Sequence, residues 1–154
     1  MEDLYQKLLE SSLRFVSFRP RSEKEIQHFL QKKLQKRKIA DQDVVDRVVV
    51  RLRELGYADD AKFVVWWVDQ RKSHKPKGAR LIAQELKAKG VEVKDLHLDE
   101  VDLARKALTK KLPLWHKLPK LEQKKKIYGF LGRRGFDTET IHRVIDEVVY
   151  GEVK

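Results

Sequence analysis

An all-α protein made of tandem three-helix repeats is the fold this sequence predicts, and three observations carry it. Apolar residues recur at helical spacing through most of the 154 residues. Only 7 Gly and 4 Pro interrupt them, which favours long elements over a many-stranded sheet. A grammar of helix, break and helix then returns with a period of about 50 residues, a length typical of helical arrays. The repeats are expected at residues 1–58, 59–98 and 99–154. A three-helix unit of that size buries little core alone, so neighbours are expected to pack in series.

The elements follow in order. Leu4, Leu8, Leu9, Leu13, Phe15 and Val16 predict a first helix over 4–17, broken at Phe18-Arg19-Pro20 because a proline disfavours helical geometry in the residue before it. Ser22 with Glu25 is a capping-box pair, and Ile26, Phe29, Leu30 and Leu34 form the stripe of a helix over 23–37. Asp41 caps a third helix carrying Val44, Val45, Val48, Val49 and Leu52. Its β-branched residues make a strand the competing assignment. The spacing i, i+1, i+4, i+5, i+8 favours the helix, which Gly56 closes in a left-handed C-cap.

The second repeat opens at Asp59 or Asp60, with a helix over 60–73, a turn from His74 to Gly78, and a helix from Ala79 to Lys89 stopped by Gly90. A short segment holding Leu96 and Leu98 is all that remains for a third helix. In the last repeat, helices are expected at 99–112, 120–134 and 137–150, with Pro113 to Pro119 as a turn region and Gly135 as a stop.

Composition narrows the function classes. There is no Cys, which removes disulfides and thiolate metal sites. The five histidines are scattered, and no HExxH, P-loop, dinucleotide or GxSxG pattern occurs; Gly129, Gly132 and Gly135 follow no strand. No catalytic residue, cofactor or metal is therefore expected. Neither a signal peptide nor a run of apolar residues long enough for a membrane span is visible, which points to the cytoplasm. A membrane-surface role is disfavoured because no helix segregates aromatic and basic faces.

The net charge of +11 points toward a polyanionic partner. The three repeats carry about +4, +3 and +4, so the surplus is spread along the chain. The basic turn offers Arg71, Lys72, Lys75, Lys77 and Arg80, with Lys87 on the helix beyond it. Pro76 stiffens that turn, and Gly78 would let backbone approach an anion before a helix N-terminus. The competing reading is a solvated loop. Lys110, Lys111, Lys124, Lys125, Arg133 and Arg134 are the matching candidates in the last repeat. Trp66 and Trp67 point about 100° apart on one helix. Trp67 shares the i, i+4 face of Phe63 and is expected in the core, whereas Trp66 is open to either packing or base stacking.

Four stretches carry a resemblance to a known family: LRFVSFRPRSEKEI, RLRELGYADDAKFVVWWVDQR, KPKGARLIAQELKAKGV and FLGRRGFDTETI. In this order they resemble the RecX family of bacterial recombination regulators over nearly the whole chain. Val64 departs from it, standing where a small residue such as Ala is expected. The resemblance implies an elongated, curved crescent of three tandem three-helix repeats, and a monomer is the expected state. It implies binding to the RecA filament on single-stranded DNA, with restraint of its ATPase and strand exchange in DNA repair and the SOS response. Direct DNA binding is implied as a secondary property, to single-stranded DNA and with double-stranded DNA as a further partner. A stand-alone DNA-binding protein with helix-turn-helix-like units is the alternative.

Overall fold

A computed structural model describes residues 2–151, with side chains from residue 3 onward. Among the described residues there are nine α-helices and no strand. They are α1 (Glu2–Phe18), α2 (Glu23–Lys36), α3 (Gln42–Glu54), α4 (Asp60–Ser73), α5 (Ala79–Ala88), α6 (Glu100–Leu108), α7 (Leu112–Trp115), α8 (Lys120–Arg133) and α9 (Thr138–Val148).

The expected caps form. The Ser22 hydroxyl accepts from the Glu25 backbone N–H and the Glu25 carboxylate accepts from that of Ser22, closing the box at the start of α2. Asp41, Asp99 and Asp137 each accept from the backbone N–H three residues on, at Val44, Asp102 and Thr140. Left-handed residues end the helices: Gly56, Gly90 and Gly135 have φ near +82°, +84° and +86°. Behind each runs the same pair of bonds, as from Gly90 N–H to Lys87 O and Val91 N–H to Leu86 O, both 2.9 Å. Lys38 ends α2 in the same way, with φ +56°.

Two expectations are corrected. No helix forms over 91–99, a segment between the Gly90 stop and the Asp99 cap in which the β-branched Val91 and Val93 disfavour one. The middle repeat thus has two regular helices followed by an irregular segment. The helix expected over 99–112 ends at Leu108, and one helical turn, α7, forms inside the expected turn region, with Pro113 in its first turn, where its missing N–H costs nothing.

The chain divides into two compact units. Among the described residues, the first comprises 2–67 and 86–91, the second 68–85 and 92–151. In the first, Leu4 and Leu8 of α1, Ile26, Leu30 and Leu34 of α2, and Val44, Val45, Val48, Val49 and Leu52 of α3 form one buried core. In the second, Leu103, Ala104 and Leu108 of α6, Ile127, Phe130 and Leu131 of α8, and Ile141, Val144 and Ile145 of α9 do the same. Ser12 is buried without penalty, since its hydroxyl donates to Leu8 O at 2.8 Å.

Both units contain the same joint. In the first, the N-terminus of α2 is capped from outside by Asp60, whose carboxylate accepts from the Glu23 N–H at 2.9 Å. Gly90 lies against Lys24, so close that an added Cβ would meet the lysine side chain at 2.6 Å. In the second, Glu100 accepts from the Ala79 N–H at the start of α5, also at 2.9 Å. There Gly135 faces Leu81, where a Cβ would meet Cγ at 2.5 Å. A repeated joint is what tandem repeats require.

Candidate functional site

The basic turn between α4 and α5 divides into two groups of cations. Arg71 Nε donates to the Glu85 carboxylate at 2.9 Å, its second guanidinium nitrogen meets the other oxygen, and Lys77 reaches the same oxygen at 3.2 Å. Burial alone would push the Glu85 carboxyl up. The hydrogen bonds and charges of Arg71 and Lys77 outweigh it and hold that group below the usual carboxylate range. These two cations hold the turn on α5.

Lys72 and Lys75 point elsewhere. With Lys106, Lys110, Lys111 and Arg134 they line a cavity of about 530 Å³, which also includes Pro76, Phe130 and Thr109 and has no carboxylate among its lining residues. The elements place each group. α4 ends at Ser73, and Lys75 takes a left-handed conformation with φ +48°. The left-handed Lys38 is secured by two closing bonds, whereas no such pair accompanies Lys75 among the described residues. Holding a lysine there costs on the order of 1 kcal/mol, the kind of local strain that gathers at binding sites.

Arg134 is fixed from both sides. Its guanidinium lies 4.9 Å from the Phe130 ring centroid and donates to Pro76 O at 3.4 Å, and Lys111 sits 5.8 Å from the same ring. Lys106 is held at 3.2 Å by Asp102. Lys75, Lys110 and Lys111 have no ion pair among the described residues. Like charges facing one space repel, and a bound polyanion relieves that repulsion.

The remaining candidates fall outside this cavity. Arg80, Lys87, Lys124, Lys125 and Arg133 are exposed on α5 and α8. The role anticipated for Gly78 is corrected too: its N–H donates to Arg134 O at 2.9 Å, and an added Cβ would strike Gly135 O at 2.3 Å. The Ala79 N–H is taken by Glu100, so the start of α5 is occupied by protein rather than held open for an anion. Lys106 was missed by sequence reasoning. Its signal was present: it stands four residues before Lys110, a spacing that the helix expected over 99–112 would put on one face.

The aromatic cluster is a scaffold with partial cover. Phe63 is fully buried, with ring centroids of Trp66 and Trp67 at 6.2 and 5.6 Å. Trp67 is only half-buried, contrary to its expected core position, with Lys89 Nζ 5.8 Å from its ring. Trp66 is half-buried beneath the Arg19 guanidinium, 5.0 Å away. Among the described residues no group of histidines and carboxylates has metal-binding geometry, and no helix is long and apolar enough to cross a membrane.

Comparison with known proteins bears on this arrangement. Residues 59–94 match the family model described as RecX, second three-helix domain, and residues 99–145 that of RecX, third three-helix domain. The regulatory protein RecX of Chlorobium phaeobacteroides is 31% identical over 93% of this chain and 94% of its own length. That of Bacillus licheniformis is 30% identical over 96% of this chain but 57% of its own length, so the chain spans little more than half of that relative. The crystal structure of RecX from Lactobacillus salivarius superposes with a TM-score of 0.79, covering 96% of this chain and 98% of that one at 21% identity. The all-α tandem-repeat fold is shared, and the chain belongs to the RecX family of regulatory proteins.

Proposed function

We propose that the chain is a non-enzymatic regulator that docks on a RecA–single-stranded DNA filament and restrains its ATP hydrolysis and strand exchange. The observation that carries the reading is the cavity ringed by Lys72, Lys75, Lys106, Lys110, Lys111 and Arg134 with no carboxylate in its lining. Such a ring suits consecutive phosphates or an acidic protein surface, and the family resemblance names a partner that offers both. Each of the three repeats, residues 1–58, 59–98 and 99–154, would add its own positive surplus to the contact. A protein lodged in this way hinders movement between neighbouring protomers, so inhibition is steric and electrostatic.

Retention on beads carrying single-stranded DNA, with and without RecA, tests the reading. Retention that rises when RecA is present, and that Lys75→Glu with Lys110→Glu abolishes, is the expected outcome. Equal retention with and without RecA, falling steeply with salt, would replace it with a stand-alone DNA-binding protein.

A further inference from the structure

The first unit holds a second concavity, of about 390 Å³, that the basic cavity leaves unexplained. Its wall includes Phe18, Arg19, Arg21, Tyr57, Asp59 and Lys62. Phe18 ends α1 and is 82% exposed; Tyr57 is 50% exposed. Large aromatics ordinarily gain by turning inward. The chain shows that Tyr57 had the opportunity. Val91 and Phe136 follow the left-handed glycines 90 and 135 and are buried, and Ile39 after Lys38 packs on the core. Tyr57 follows Gly56 with the same two closing bonds, Gly56 N–H to Arg53 O at 2.9 Å and Tyr57 N–H to Leu52 O at 2.8 Å, yet half of it stays in water.

The charge around these rings is unbalanced. Glu25 is met by Arg19 at 2.6 Å, Lys89 at 3.6 Å and Arg21 at 3.9 Å, three cations for one carboxylate. Burial, and after it the neighbouring Arg19, push the Arg21 guanidinium below its ordinary value, with Glu25 opposing them. Lys62 has no ion pair among the described residues, and Asp59, which shares the wall, is occupied by the backbone N–H groups of Ala61 and Lys62. Open aromatic faces beside surplus cations match a ligand that is planar and anionic at once, and unpaired nucleotides are that ligand.

We propose that this wall is a single-stranded nucleic-acid subsite in which Phe18 and Tyr57 stack on unpaired bases while Arg19 and Lys62 hold the adjoining phosphates. The proposal rests on the reading that the chain meets single-stranded DNA, and it adds base contact to phosphate contact. Bases inside a duplex are already stacked on one another, so the subsite selects single strands.

The test is fluorescence anisotropy of a labelled oligothymidine and of the same strand carrying abasic positions, titrated with the full chain. The wild type is expected to prefer the strand with bases by about tenfold, near the lower end of the range for one stacked base. Phe18→Ala with Tyr57→Ala is expected to bind both strands alike, with an unchanged circular dichroism spectrum because neither ring is in the core. If the double variant keeps the wild-type preference, the subsite is overturned while single-stranded binding stands. If the wild type binds neither strand, both readings fall. If the double variant binds oligothymidine like the wild type but is no longer retained on RecA-coated strands, the wall docks protein, and the proposal is equally overturned.

Discussion

Glu25, in the first turn of α2, and Glu85, toward the end of α5, are each surrounded by cations. Arg19 and Lys89, with Arg21 at the edge of range, meet the first; Arg71 and Lys77 meet the second. Burial would raise both carboxyls, and the hydrogen bonds and charges prevail, so both titrate below the usual range. A folded-state pKa below the unfolded value of ~4.3 stabilises the fold above that pH and loses its contribution as pH falls through the folded value. The melting temperature is therefore expected to drop on acidification below about pH 4, and Glu25→Gln with Glu85→Gln should flatten that limb. An unaltered pH profile in the double variant would show that these pairs contribute nothing to folding. The aromatic residues give a second expectation. Phe63→Ala should cost about 3–5 kcal/mol and the half-buried Trp67→Ala clearly less, measured by chemical denaturation. Equal losses would place Trp67 in the core after all. The i, i+4 spacing identified the buried face of α4 at Phe63. It could not show how far α4 stays covered beyond that residue, because cover depends on groups distant in sequence, such as Lys89.

At the scale of elements, the helix boundaries were mostly legible, because caps and stops act through backbone within a few residues. Ser22, Asp41, Gly56, Gly90 and Gly135 all serve as their spacing implies. The acidic pairs at 59–60 and 99–100 were only half legible. Asp59 and Asp99 cap their own helices, whereas Asp60 and Glu100 reach the starts of α2 and α5, a partnership no local pattern encodes. The glycines at the joint carry a similar double load of positive φ and close approach. Gly90→Ala and Gly135→Ala are each expected to lose about 1–3 kcal/mol, from left-handed strain and the collision with Lys24 or Leu81. Gly132, inside α8 with open space around it, is the control. Gly132→Ala should gain about 0.5–1 kcal/mol through helix propensity. Equal effects at 132 and 135 would mean the joint is not tight. The helix expected near Leu96 did not form in a segment that holds the β-branched Val91 and Val93 between the Gly90 stop and the Asp99 cap.

For the molecule as a whole, family and fold class were legible because they rest on long periodic patterns and on distinctive stretches of sequence. The site was legible in kind but not in membership. Charge identified a basic surface, but only three-dimensional structure separates Arg71 and Lys77, which neutralise Glu85, from Lys75, Lys110 and Lys111, which face a shared cavity. It also brings in Lys106 and sets Arg80, Lys87, Lys124, Lys125 and Arg133 outside. Charge reversal at Lys75 and Lys110 is expected to leave stability within about 0.5 kcal/mol, since both are exposed. The most direct test of the regulatory reading is RecA ATP hydrolysis on single-stranded DNA while the chain is titrated in. The wild type should suppress hydrolysis progressively, and Lys75→Glu with Lys110→Glu should need at least about tenfold more protein, the equivalent of ~1.4 kcal/mol of lost binding. Hydrolysis that continues unchanged at every ratio of chain to RecA would contradict it.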